Sequence, residues 1–317
     1  MQRTFLAGMA LWLSVQTWGC DLCGIYLNVL PQDRTHQFSL FYRMRSLSGS
    51  FPALGVAKHG DEQAPTLAPT EVDELFQTVE LRADLRVRRR WSVLLSVPLV
   101  NTYQRVNGLR MVDLYGVGDP MVIARYQLVN TKCGPDEHRA IHRLLLGAGV
   151  KFPLGKDDLT YMGYDVGNDL QPGTGTWDAL VTLEYSLRKG RNGLVLGNVV
   201  RINGTHGSGY RFGNGLNSTL EVFRSWTCGK MQVAPSVGAY GEFAQCDQHD
   251  GSILSNTGGN TLFTHAGARV WWRSWLLTGA WQHAVVNDIG SAMVPNRDRM
   301  VVGLTYVLNN NKNNNTQ

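Results

Sequence analysis

Five cysteines, at positions 20, 23, 133, 228 and 246, are the first residues of this 317-residue chain whose chemistry demands a decision. Cys20 and Cys23 have the CxxC spacing that closes a small disulfide ring or supplies two of the four ligands of a tetrahedral metal site. No second CxxC provides the other half. Cys246-Asp247-Gln248-His249-Asp250 gathers a thiol, two carboxylates and an imidazole, which could bind a transition metal, although loops rich in Asp and His are usually just solvated. The weak metal candidates are therefore Cys20, Cys23, Cys246 and His249, and no cofactor is expected. Cys133 and Cys228 fall in proposed short connections and could pair if those connections are neighbours. Hydrolytic chemistry needs a serine, a histidine and a carboxylate brought together. His142, His265 and His283 lie on or near strand-like segments, Thr205-His206-Gly207 sits in a loop with no evident partner, and no GxSxG motif occurs. The chain does not read as an enzyme.

A second set of chemically capable residues recurs at every other position. From 75 to 87 one face reads Leu75, Gln77, Val79, Leu81, Ala83, Leu85, Val87 and the other Phe76, Thr78, Glu80, Arg82, Asp84, Arg86. Period two belongs to strands with unlike faces; a helix would space its apolar residues by three and four. Applied along the chain, the alternation puts Arg43, Arg45, Glu80, Arg82, Asp84, Arg86, Arg125, Arg143, Lys151, Glu184, Arg201, Glu221 and Glu242 on one polar face. Inside a closed barrel these groups line a pore or pair across it into a plug. The excess of arginine suggests a mild preference for anions.

About twelve such segments follow one another: 38–47, 75–87, 91–100, 120–129, 141–152, 177–187, 194–202, 216–223, 230–243, 261–272, 275–286 and 300–308. Each is near the length that crosses a bilayer obliquely. The joints alternate. Those at 88–90, 188–192, 225–229 and 273–274 are short, those at 48–74, 101–119, 153–176, 244–260 and 287–299 are long, and 130–140 is a longer insertion on the short side. Brief periplasmic turns and long external loops produce this rhythm; a β-sandwich has no reason to put every long loop at one end. Trp91, Tyr103, Trp177, Trp226, Trp271, Trp272 and Trp275 cluster near the proposed strand ends, where aromatic girdles form.

Composition narrows the class. Charged residues are only 17%, Gly numbers 35, and the formal charge of +5 comes without a basic cluster beside an aromatic platform, so nucleic acid is not an expected partner. No apolar run after the leader reaches the ~20 residues of a membrane helix. Residues 1–19 have the basic start and apolar core of a signal peptide. Trp18 stands where a lipoprotein signal carries a small residue, which weakens the case for a lipid-anchored Cys20. Residues 20–36 then form a periplasmic segment, 37–308 the barrel, and 309–317 a polar tail expected to be disordered.

Four Gly-rich stretches occur in order: YGVGDP (115–120), IHRLLLGAGVKFPLGK (141–156), QPGTGTWD (171–178) and NTGG (256–259). Together they resemble the outer-membrane channel family associated with meta-cleavage phenol degradation, over most of the mature chain. The opening CDLCG at 20–24 is also similar to a group of Bacteroidetes outer-membrane proteins that begin Cys-Asp-x-Cys-Gly-Cys, with Ile25 standing in place of the third cysteine. The first resemblance implies passage of small aromatic or apolar compounds. Physically, Gly147 and Gly149 fall on the inner face beside Arg143 and Lys151, where they relieve crowding. Pro153 ends its strand, and Pro172-Gly173-Thr174-Gly175 is turn chemistry.

The expectation is an all-β antiparallel transmembrane β-barrel of about twelve strands in the outer membrane of a Gram-negative bacterium. It would let small solutes pass, with outer-membrane lipid and the barrel-assembly machinery as its other partners. The alternative is a non-conducting structural or binding barrel whose outer loops, 48–74 and 244–260, recognise a partner or a metal.

Overall fold

The computed structural model describes residues 35–51, 69–131 and 140–308. The expected signal peptide, nearly all of the N-terminal segment with Cys20 and Cys23, Cys133 and the polar tail lie outside the described residues. Twelve strands form the wall: β1 (His36–Phe51), β2 (Thr70–Arg88), β3 (Trp91–Val106), β4 (Met121–Asn130), β5 (Ile141–Lys151), β6 (Asp178–Lys189), β7 (Asn192–Ile202), β8 (Gly215–Arg224), β9 (Met231–Ala244), β10 (Gly259–Trp272), β11 (Trp275–Ile289) and β12 (Asn296–Leu308). Each pairs antiparallel with its neighbour in sequence, and β1 pairs with β12 from His36↔Leu308 onward, so the sheet closes. Closure leaves no unpaired strand edge, the condition for a sheet in hydrocarbon.

Burial reverses the pattern of a soluble sheet. Along β12, Arg299, Val301, Thr305 and Val307 are buried, while Met300, Val302, Leu304, Tyr306 and Leu308 are exposed. Along β2, Glu80 and Arg82 are buried while Val79 and Leu81 are exposed. The charged face points into the barrel and the apolar face points out, where only lipid makes such exposure favourable. Both described chain ends, His36 and Leu308, lie at the rim of the short turns, the periplasmic side in barrels of this kind.

The strands run longer than the alternation indicated, and one expected loop is structured. Residues 101–119 read as a long loop. Instead β3 continues into a hairpin with a short strand, Leu109–Val117, around Asn107-Gly108. Both turn residues have positive φ (49° and 80°), the conformation for which Asn-Gly is the strongest hairpin signal. Between this strand and β4, Gly118-Asp119-Pro120 stand opposite only Val97-Pro98, since Leu99 faces Val117 and Ser96 faces Met121. This bulge swings Asp119 out of the ladder. Loop 203–214, between β7 and β8, adds a further long connection on the same side.

Candidate functional site: the lumen and its long-loop mouth

The charged face is organised into ion pairs, some within a strand or between neighbours and others joining strands that lie apart in the wall. Glu80 (β2) accepts from Arg43 (β1) at 2.9 Å, from Arg82 at 2.5 Å and from the Ser96 hydroxyl. Arg125 (β4) bridges Asp84 (β2) and, at 3.2 Å, Glu184 (β6). Arg269 (β10) meets Glu221 (β8) at 2.5 Å. The longest span joins Arg45 (β1) to Glu242 (β9) at 3.1 Å, and Arg299 (β12) closes on the same carboxylate. Tyr240 donates its hydroxyl to Glu242, and the Arg299 guanidinium lies over the rings of Tyr240 (4.5 Å) and Phe263 (5.5 Å). A charge out of water is tolerated only when it is paired, and each of these groups has an opposite charge beside it. Each opposite-sign contact also narrows the lumen.

Of the residues expected on the inner face, Arg43, Arg45, Glu80, Arg82, Asp84, Arg125, Glu184, Glu221 and Glu242 take part in these pairs. Arg86, Arg143 and Arg201 have interactions of their own. Sequence reading missed Arg269 and Arg299. Arg269 follows the inward parity of β10, and Arg299 fell one residue before the assigned start of its strand.

Lys151 belongs to a different assembly, at the long-loop end. Its ammonium lies 3.1 Å from Asp119 and 2.6 Å from Asp178, and it also donates to Thr174. Asp119 accepts from the amides of Gly155 (2.9 Å) and Thr174 (2.8 Å), and Asp178 accepts from the Thr176 hydroxyl (2.7 Å) and the Gly204 amide (3.1 Å). Three of the four Gly-rich stretches thus meet at one buried cation. Their other residues fold the loop between β5 and β6. Gln171 clamps Leu159 by both its amide and carbonyl, and Pro172 sits where a Cβ on Gly116 would be 2.8 Å away. Gly155 and Gly173 touch so closely that a Cβ on Gly173 would lie 2.7 Å from the Gly155 backbone. Turn chemistry at 172–175 is therefore part of the explanation; the larger part is backbone-to-backbone contact.

Folded this way, the loop packs Leu170 on Val112 and Leu114 of the β3 hairpin, with Phe76, Leu159, Tyr161 and Val166 around them. An apolar cluster thus partly roofs the mouth. Asp169 is drawn into this packing, and burial raises its pKa, with the charge of Asp247 adding to the effect. Asp247 is itself raised by burial while accepting from the Tyr210 hydroxyl (2.6 Å) and the Gly213 amide (2.7 Å).

One loop histidine departs from the expectation that it has no evident partner. His206 does have partners: Nε2 lies 3.1 Å from Asp157 and Nδ1 2.7 Å from Ser208, a contact that ties loop 203–214 to loop 152–177. His142 meets the Tyr185 hydroxyl at 2.8 Å, and His283 stacks on Trp281 beside Asp298 on the outer wall. In the 246–250 stretch the Cys246 thiol donates to the Thr257 carbonyl and Asp247 is committed as above, leaving His249 and Asp250 at an exposed tip. No group of three or more metal-ligating side chains occurs among the described residues. Cys228 and Cys246 carry no disulfide among the described residues, and Cys133, the conditional partner of Cys228, lies outside them.

A closed ring of twelve strands with a lipid-facing apolar exterior and a charged interior decides the architecture. The chain is an outer-membrane β-barrel. Its fold is similar to the crystal structure of an outer membrane channel from Pseudomonas putida F1, at 14% identity and TM-score 0.60, covering 89% of this chain and all of that one. More distant likenesses include the β domain of the Bordetella autotransporter BrkA (11% identity, TM-score 0.44, covering 86% of this chain and 99% of that one). The translocator domain of the autotransporter NalP from Neisseria meningitidis is another (11%, TM-score 0.41, covering 87% and 90%). No family model matches the sequence. No curated protein matches it either.

Proposed function

We propose that this barrel is a channel for small solutes across the outer membrane, with Arg43, Arg45, Glu80, Arg82, Asp84, Arg86, Arg125, Arg143, Lys151, Glu184, Arg201, Glu221 and Glu242 forming its lining. The observation that carries the reading is a polar inner face inside a closed, apolar wall. Small aromatic or apolar compounds fit the reading best, supported by the apolar mouth around Phe76, Val112, Leu114 and Leu170 and by the rings of Phe41, Tyr240 and Phe263 beneath guanidinium groups. The resemblance of the Gly-rich stretches to the phenol-pathway channel family points the same way.

A second reading, a non-conducting structural or binding barrel, is favoured by the Arg45–Glu242–Arg299 bridge across the lumen. Single-channel recording in a planar bilayer under a salt gradient separates the two. Discrete steps with a reversal potential of anion sign support the channel and its arginine excess, and cation preference refutes the latter. A folded barrel that stays silent supports the second reading.

A further inference from the structure

Four of the short turns, on one rim of the barrel, are cationic. The turns β2–β3 (Arg88, Arg89, Arg90), β6–β7 (Arg188, Lys189, Arg191), β8–β9 (Arg224, Lys230) and β10–β11 (Arg273) contain no Asp or Glu. The long-loop rim mixes signs: Arg105 pairs with Asp73 and Arg110 with Asp113 at 3.2 Å each, and Asp157, Asp158, Asp250 and Asp298 share it with Lys156, Arg211 and Arg297. Beside the cationic turns lie the rings that mark a headgroup zone. Trp91 packs on Tyr126 at 4.9 Å and Trp275 on Tyr306 at 4.8 Å, while Arg224 and Arg273 lie over Trp226 and Trp272 at 5.7 and 5.1 Å.

On this rim the wall is indented. Pairing of β8 with β9 stops at Phe223↔Ser236 and resumes in a short strand at Trp226↔Val233, so Arg224 and Ser225 have no ladder partner on β9 where Ala234 and Pro235 stand opposite, Pro235 having no amide hydrogen to donate, while Arg224 stays paired with Asn192 of β7. The Ser225 amide turns to the Arg191 carbonyl instead, at 2.7 Å. The result is a groove of about 590 Å³, walled by Leu194, Val222, Pro235 and Val237, with Lys189 and Arg224 also in its lining. A second groove of about 500 Å³ faces lipid near Phe38, Leu95 and Trp275, but its one charged lining residue, Arg82, is turned inward onto Glu80. Only the first combines an apolar trough with outward cations.

We propose that the β6–β9 groove is a binding site for an anionic phospholipid of the inner leaflet, one acyl chain lying in the trough and the phosphate against Lys189 and Arg224. The charge complementarity selects the occupant. A zwitterionic lipid fills the trough but brings a cation to a groove whose lining holds Lys189 and Arg224 and no carboxylate, whereas phosphatidylglycerol brings net negative charge alone.

The test is native mass spectrometry of the membrane-extracted protein offered an equimolar mixture of dioleoylphosphatidylglycerol and dioleoylphosphatidylcholine. Phosphatidylglycerol should be retained preferentially. Lys189→Gln with Arg224→Gln should weaken that retention by roughly fivefold per cation, about 25-fold together. Leu194→Trp, which fills the trough and leaves the charges, should reduce retention of both lipids. Arg88→Gln with Arg89→Gln, on a turn away from the groove, should change neither. Heat-modifiable gel mobility verifies that every variant is a folded barrel. Equal retention of the two lipids by the unaltered protein overturns the proposal, as expected if an acidic protein is the real partner of this rim. An equal loss in the Arg88/Arg89 variant also overturns it, because diffuse attraction to the rim would then replace a site.

Discussion

Replacing Lys151 by methionine removes the cation on which the mouth of the barrel is assembled while keeping the volume of its stem. The side chains of Lys151, Asp119 and Asp178 are 5%, 2% and 1% exposed, so the change strands two carboxylates away from water. Breaking a buried pair by deleting one partner costs ~3–5 kcal/mol. Here the carboxylates keep the amides of Gly155, Thr174 and Gly204 and the Thr176 hydroxyl as donors, which argues for the lower end, ~3 kcal/mol. Because the loop between β5 and β6 can lift without dissolving the twelve-stranded ladder, the loss should appear as local opening, by on the order of 100-fold. Hydrogen exchange of peptides covering 152–177, measured by mass spectrometry in lipid nanodiscs, reads that population directly. Strand peptides such as those of β10 and β11 should be unaffected. The triple variant Asp119→Asn, Lys151→Met, Asp178→Asn should open less than Lys151→Met alone, since no uncompensated charge remains. A change below about threefold in the single variant would refute the view that this cation holds the loop.

Gly173→Ala should loosen the same loop by ~1–3 kcal/mol, because the new Cβ meets the Gly155 backbone, and should leave heat-modifiable barrel mobility unchanged. Glu242→Gln takes the shared carboxylate from Arg45 and Arg299; it should raise conductance and move the reversal potential toward greater anion selectivity. Asp169 and Asp247 have raised pKa values in the folded loops, so the packing they permit is fully present below the ordinary carboxyl range and is lost as pH rises through their folded values. Exchange of 152–177 should therefore be slower in acid after correction for the intrinsic rate, and Asp169→Asn should flatten that dependence. Leu304→Arg, on the lipid face of β12, should destabilise the barrel by ~2–4 kcal/mol in a denaturant titration in bilayers.

Much of the wall was legible because strand alternation is local: each residue's neighbours at two positions either way state which face it shares. The segments 141–152 and 275–286 lie within one to three residues of β5 and β11. The hairpin beyond β3 carries a local signal, Asn107-Gly108, but its strands lie in a stretch whose length also suits an irregular external loop. His206 looked solitary since its partner, Asp157, is 49 residues away.

What the sequence by itself determined is the class of solvent on each side of the sheet and hence the barrel: apolar and charged residues at alternate positions, repeated with short and long joints, can be satisfied only by closure in lipid. Which charges meet was decided by the tertiary structure alone. Arg45 and Glu242 are brought together by the curvature of the closed sheet, and Asp119, Lys151 and Asp178 by a bulge and a folded loop. The glycines around them were visible as motifs. Their reason, backbone passing against backbone at 116, 155 and 173, exists only once segments far apart in the chain have been packed.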